Sequence, residues 1–268
     1  MKGILLKINW LCFCLFAILS NRSYAATHAG IEVQKISNQL AVLSTEYGTN
    51  IGIVNSANGL LLIDPMPGNT YLKKLEKSIE ALFNVSVKHI VNTHGHSDHT
   101  GGNEYFINRG AQYLKGNLDD YDIKQEIVGS HSSKDHIYFH RASNSIFVGD
   151  VFDSSWHPTF YFDGLRGLDA AVDTILAFGN ETSLIIPGHG KIADKEALRK
   201  FRKHTHEWVT RVKEMLSIDM TVEQIMIDRK ANDILLKFNT AKSESFLPIK
   251  AHRRFIERTI TLLNKKPV

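Results

Sequence analysis

The chain has 268 residues, 43% of them hydrophobic and 22% charged, with a formal net charge of +4 and two cysteines. That is enough chain for one large domain or two small ones, at the composition of an ordinary globular protein. Both cysteines, Cys12 and Cys14, fall in the first 25 residues, so everything after them has neither a disulfide nor a thiolate ligand to offer.

The N-terminal stretch has the three-part pattern of an export leader. Lys2 and Lys7 precede an apolar run from Trp10 to Leu19, and a polar stretch ends in Ser23-Tyr24-Ala25. Cleavage is expected after Ala25, leaving residues 26–268 as a single domain, in the periplasm or secreted. The apolar run is too short to span a bilayer comfortably, so no stable membrane insertion is expected after cleavage. The cut removes Lys2, Lys7 and Arg22 with no acid, so the charge falls from +4 to +1. That leaves no electrostatic case for a nucleic-acid partner.

After the leader, residues 40–64 read as strands, with Asn58-Gly59 as the best hairpin turn. Residues 70–83 read as a helix with Leu72, Leu75, Ile79, Leu82 and Phe83 on one face. Residues 87–94 form a short buried strand running into "NTHGHSDHTGG". The later chain repeats this order: a strand ending at Asp150, a helix over 167–179, and a strand ending in a loop with His189. Strand–Asp, helix, strand–His thus occurs twice, with Asp64 and His94 in the first copy. The repetition predicts two related halves facing each other. From about Ala193 the chain is helical, with Leu198, Phe201, Trp208, Val212 and Met215 on one face, and a last helix follows Pro248. These stripes are read as core packing.

The motif holds four ligand-type residues in six positions. Imidazole and carboxylate are natural ligands for a borderline divalent ion such as zinc. His94 and His96 flank Gly95 and can hold one ion in an extended loop. Asp98 and His99 lie just beyond and can turn toward a second. A two-metal site needs more donors, and His131, Asp150 and His189 stand at loop boundaries beside apolar strands.

"THGHSDH", the isolated His131, "VGD" and "PGHG" together resemble the metallo-β-lactamase superfamily, over about Ile36 to Ala193. The resemblance implies an α/β fold, a four-layer αββα sandwich of two pseudo-symmetric halves. It implies that His94, His96 and His131 hold the first ion, that Asp98, His99 and His189 hold the second, and that Asp150 bridges both. "HSSKDHIYF" departs from the superfamily's commoner "HTPGH" form, so His136 stands as the alternative to His131. Asp64 matches an aspartate that orients a ligand, and equally suits a turn before Pro65.

The implied cofactor is two divalent ions, zinc by donor chemistry, with iron or manganese as alternatives. A hydroxide made between them would attack a carbonyl, and Asp98 could accept the water's proton. The implied partner is a small-molecule substrate. A bridging aspartate resembles the glyoxalase II and lactonase branches, whereas export favours a β-lactam or another extracellular ester or lactone. Trp156, His157 and Tyr161 are candidates for a substrate pocket, with His157 as a donor to an oxyanion; packing of the loop against the core is the other reading. A metal-binding accessory protein without turnover is the alternative of a different class.

Overall fold

The computed structural model describes residues 25–28, 31–45, 48–66, 69–244 and 246–264. The expected leader lies outside the described residues, except for Ala25. Among the described residues one sheet has seven strands, in the order β1 (Ala25–His28), β2 (Ile31–Lys35), β3 (Leu40–Ser44), β4 (Asn50–Ser56), β5 (Gly59–Ile63), β6 (Val87–Val91) and β7 (Gln112–Tyr113). Helix α1 (Asn69–Phe83) joins β5 to β6, and α2 (Ser97–Thr100) and α3 (Asn103–Ile107) join β6 to β7. The second sheet contains β8 (Ile123–Val128), β9 (Asp135–His140), β10 (Ser145–Gly149), β11 (Leu184–Pro187) and β12 (Ala193–Asp194), ordered β12-β11-β10-β9-β8. Helix α4 (Gly164–Ala177) joins β10 to β11, and α5 (Lys195–Leu216), α6 (Val222–Ile227), α7 (Arg229–Leu236) and α8 (Ile249–Asn264) follow.

The two-residue period of the strands builds the layers. In β3, Leu40 and Val42 face the second sheet while Ala41 and Leu43 face the helices beside the first. In β5 the same alternation sends Leu61 and Ile63 inward and Leu60 and Leu62 outward. Strands buried on both faces read as nearly continuous apolar runs, which is why "GLLLI" is so hydrophobic. Three cores result. Leu72, Leu75 and Ile79 of α1 cover the outer face of the first sheet. Leu61, Ile63, Phe147 and Ile186 meet between the sheets. Ile146, Val148 and Ile185 meet α4 and α5 on the far side. The order helix, sheet, sheet, helix is the expected αββα sandwich. Gly52 marks the close approach of the sheets: a Cβ there would run into the Phe147 ring, 2.6 Å from its Cζ.

The repeated strand–helix–strand pattern is visible in the pairing. β5 pairs parallel with β6 across α1, and β10 pairs parallel with β11 across α4. Almost all other pairings are antiparallel, β6 with β7 excepted. Parallel neighbours need a crossover helix, and both crossovers deliver their strand ends to one edge of the sandwich. The two halves are stitched there. Asn50 N–H donates to Gly188 O at 2.8 Å, and Asn50 Nδ2 donates to Pro187 O and Gly190 O at 2.9 and 2.8 Å.

The C-terminal helices pack on the second sheet. Asp194 caps α5 by accepting from Ala197 N at 2.7 Å. Leu198, Phe201, Trp208, Val212 and Met215 are all buried along that helix. Trp208 stacks on Phe255 of α8 at 4.8 Å and donates from Nε1 to Thr259 Oγ1 at 2.9 Å.

Candidate metal centre

The strand ends deliver seven donors to one place. The chain bends over residues 93–95 after β6, placing His94, and His96 (φ −71°, ψ 150°) is extended. The chain then turns into α2, which carries Asp98 and His99, the His99 ring lying 4.3 Å from that of His94. His131 sits in the β8–β9 hairpin loop. Asp135 shapes this loop, its carboxylate accepting from Ser130 N and from Ser132 N and Oγ. Asp150 follows β10 and His189 follows β11. Gly188 lets the second loop approach the first, because a Cβ there would occupy the place of Asp150 Oδ1.

The donors form two groups that share Asp150: His94, His96, His131 and Asp150, and Asp98, His99, His189 and Asp150. In the first, His96 Nδ1 lies 3.2 Å from His94 Nε2 and 2.8 Å from His131 Nε2. Asp150 Oδ2 is 3.8 Å from His94 Nε2 and 3.6 Å from His131 Nε2. In the second, His189 Nε2 lies 3.3 Å from His99 Nε2 and 3.2 Å from Asp98 Oδ2. Asp150 Oδ1 is 3.2 Å from His99 Nε2 and 3.5 Å from His189 Nε2. Bonds of about 2.0–2.1 Å around a tetrahedral ion put neighbouring ligand atoms about 3.3 Å apart. Both groups have that size without rearrangement. Asp150 Oδ1 is buried and makes no hydrogen bond of proper geometry, and the groups it faces are the ring nitrogens of His99 and His189.

The far nitrogen of three histidines is held. Asp64 Oδ2 lies 3.0 Å from His99 Nδ1, and the same carboxylate accepts from Thr93 N at 2.7 Å and from Thr93 Oγ1 at 2.6 Å. Thr93 Oγ1 lies 3.1 Å from His94 Nδ1. Thr159 Oγ1 lies 2.7 Å from His131 Nδ1. Such contacts fix ring orientation and present the other nitrogen to an ion. Asp64 reaches this position in the left-handed region, at φ 56°.

Charge is divided unevenly among these groups. Burial, helped by His99, pushes His94 down to about 3, so it is neutral. Burial also lowers His131. At His99 burial opposes the charged form, but Asp64 and Asp150 outweigh it and raise the group to about 11. The hydrogen bond from His189 holds Asp98 down at about 2. Burial works against the Asp150 carboxylate, yet His99, His189 and His131 hold it well below the usual range. Asp150 is therefore the counter-charge on which the imidazoles converge. The site is open on one side: His96 is exposed, and Asp98 is half exposed at 48% of its side chain.

Three comparisons bear on this geometry. The profile of the Metallo-beta-lactamase superfamily matches residues 44–117, which carry the dense motif. A "Metallo-beta-lactamase type 2" of Bacillus cereus is 23% identical over 249 residues, covering 74% of this chain and 97% of the relative. A solved structure of TMB-1 superposes with a TM-score of 0.55 at 19% identity, over 66% of this chain and 98% of that one. The chain carries the metallo-β-lactamase fold. The profile over residues 44–117 and the distant relative support the metallo-β-lactamase superfamily for it, and the solved structure supports the fold.

Within that fold, His131 and not His136 joins the donor cluster. His136 lies on β9, where its Nδ1 is 2.8 Å from Gln125 Nε2 and its ring stacks on Tyr138. Of the three residues expected to line a pocket, Tyr161 stands beside the site, its ring 6.2 Å from that of His131. Trp156 and His157 correct the expectation. Trp156 packs on Phe246, and His157 is buried with its ring stacked on Phe255 at 4.2 Å. His157 Nδ1 is engaged by Pro158 O at 3.0 Å, so the ring serves packing against α8. Thr93, Thr159 and Asn50 also position the site. Thr93 lies within the quoted motif and so had a signal, whereas Thr159 and Asn50 had none.

The buried His157 gives a pH test of this assignment. Burial pushes it down to about 4 from 6.5. Below pH 6.5 the unfolded chain takes up a proton that the folded chain refuses. Stability present above pH 6.5 is therefore lost as pH falls toward 4, by at most about 3 kcal/mol. His157→Phe is expected to flatten this loss. Urea midpoints of parent and variant from pH 7 to 4.5 test it, and parallel slopes would contradict the buried placement.

Proposed function

We propose that the chain is an exported, binuclear metal-dependent hydrolase of the metallo-β-lactamase superfamily, acting on a carbonyl-type ester or amide. The observation that carries this reading is the pair of donor groups sharing Asp150, each of tetrahedral size and open to solvent on one side. His94, His96 and His131 would hold one ion, Asp98, His99 and His189 the other, with Asp150 between them. Two imidazole–carboxylate sites without thiolate suit zinc, with iron or manganese as alternatives. Divalent ions there supply Lewis acidity and water of lowered pKa.

The chain's own groups do the rest. Thr93, Asp64 and Thr159 orient the rings. Asp98 is ionised at neutral pH and half exposed, so it is the carboxylate available to accept a proton at the mouth. His99 must give up its proton when an ion is bound, so loading the second group becomes harder as pH falls. Export rests on the leader pattern of residues 1–25.

The relative from Bacillus cereus, named a metallo-β-lactamase, favours a β-lactam as substrate. Asp150 at the shared position favours a lactonase or a glyoxalase II-like thioesterase as the second reading. The test is hydrolysis of a chromogenic cephalosporin, a lactone and a thioester by the zinc-loaded protein, with the metal counted on the same sample. Turnover of one class with about two ions per chain is expected, and it chooses between the readings. Metal bound without turnover on any of the three would favour an accessory role and count against the hydrolase.

A further inference from the structure

A cavity of about 580 Å³ opens beside the His189 loop, and none of the seven donors lines it. That volume falls within the range of about 300–1,000 Å³ that small-molecule sites occupy. The space exists because small side chains stand where β12 meets α5: Ala193 and Ala197 line it with a methyl group each. Phe152, Phe201 and Phe238 form its apolar floor, all three buried.

The floor and walls are held in place. The Phe201 ring meets Phe152 edge-on at 5.0 Å and Phe238 at 5.7 Å, a geometry that favours both contacts. Ser154 ties three segments together. Its N–H donates to His189 O at 3.2 Å, its Oγ donates to Lys191 O at 2.8 Å, and its carbonyl accepts from Thr240 Oγ1. The hollow is therefore built into the packing of α5 on the second sheet.

The charged groups around it are unequally committed. Lys191, Lys200 and Lys237 line the cavity and are exposed, so their ammonium groups form its rim. Lys200 pairs with Glu196 at 2.6 Å and Lys237 with Glu207 at 2.7 Å, and both glutamates lie outside the lining. Among the described residues, no carboxylate lies within ion-pair distance of Lys191. The two acids in the wall already accept internal donors. Asp194 caps α5 through Ala197 N, and Asp153 Oδ1 accepts from Ser155 N at 2.7 Å and Ser155 Oγ at 3.1 Å. The cavity thus offers an aromatic floor and one uncommitted ammonium in a basic rim.

We propose that this cavity is a second binding site, which takes a small aromatic monoanion with its ring over Phe152, Phe201 and Phe238 and its charge at Lys191. Burial of the ring supplies the affinity, and the ammonium selects the sign of the charge. No metal ligand takes part, so the site stands or falls apart from the hydrolase reading.

The test compares naphthalene-2-sulfonate with the neutral methyl 2-naphthyl sulfone, by isothermal titration into the zinc-loaded protein. The two probes share a ring system and a sulfonyl group, and only the first carries a charge. The sulfonate is expected to bind about threefold more tightly, as an exposed charge pair warrants. Lys191→Gln should bring the ratio of the two affinities near one. Ala197→Trp fills the cavity and should abolish binding of both probes while the zinc count stays at the parent value. Lys191→Gln changes only the exposed rim, so it decides the matter even where the tryptophan variant folds poorly. Absence of binding, equal affinities in the parent, or a ratio unchanged in Lys191→Gln overturns the proposal. So does undiminished sulfonate binding in a folded Ala197→Trp, which would place the probe elsewhere.

Discussion

Asp150→Asn is expected to leave a folded protein that retains about one ion per chain and loses at least a hundredfold in turnover. The two carboxylate oxygens divide between the donor groups, Oδ1 toward His99 and His189 and Oδ2 toward His94 and His131. An amide of the same shape keeps the packing but cannot offer two anionic oxygens. Even residues that only orient a ligand cost about ten- to a hundredfold in affinity or activity, so a shared ligand should cost more. The metal-free protein should suffer too. Asp150 is a principal counter-charge of the buried imidazolium at His99, and removing one partner of a buried pair costs about 3 kcal/mol. Because the folded carboxylate is held low, its contribution is present above its unfolded pKa and is lost as pH falls below it. Metal counting, steady-state turnover and urea unfolding of the chelator-treated protein check the three parts. A variant that still holds two ions and turns over normally would remove Asp150 from the bridging position.

Asp64→Ala is expected to be the most destabilising single change near the site, although Asp64 touches no ion. Its side chain is almost fully buried, at 3% exposure, and satisfies three donors: Thr93 N, Thr93 Oγ1 and His99 Nδ1. Removing it takes the partner from a buried N–H, a buried hydroxyl and the Nδ1 side of a buried charged ring. Each orphaned group costs about 1–3 kcal/mol, so a loss of roughly 3–4 kcal/mol is expected. The alanine would also inherit the φ of 56°, which a residue with a plain Cβ adopts poorly. Asp64→Asn keeps a side chain suited to that backbone and restores part of the hydrogen bonding, so it should fall between parent and Asp64→Ala. Affinity for the second ion should fall about ten- to a hundredfold in Asp64→Ala through the loss of His99 orientation. Urea midpoints and competitive zinc titration read the two effects separately. Loss of stability with unchanged zinc affinity would reduce Asp64 to a turn former.

Much of this architecture is legible in the chain because it depends on local pattern. The alternation in "GLLLI" and the stripe in "YLKKLEKSIEALF" each name the layer they face. The repeated strand–Asp, helix, strand–His order is enough to pair the halves, since parallel neighbours require a crossover helix. The dense motif is equally readable, because imidazoles that close have few other uses. What stays hidden depends on partners far along the chain. His157 looks like an oxyanion donor until Phe255, almost a hundred residues later, turns out to be its stacking partner. His131 and His136 differ by five positions, and only the hairpin loop shaped by Asp135 sends the first to the cluster and leaves the second on β9. Asn50 ties the His189 loop to the opposite sheet with no motif to announce it. Arg258 meets Tyr161 only because α8 docks beside that loop, almost a hundred residues along the chain.

The most direct test of the account is a crystal of the zinc-loaded protein measured on both sides of the zinc absorption edge. The account predicts two anomalous peaks about 3.5–4 Å apart. One should lie among His94, His96 and His131 and the other among Asp98, His99 and His189, with Asp150 touching both. A single peak in fully loaded protein, or a peak ligated by His136, would contradict it.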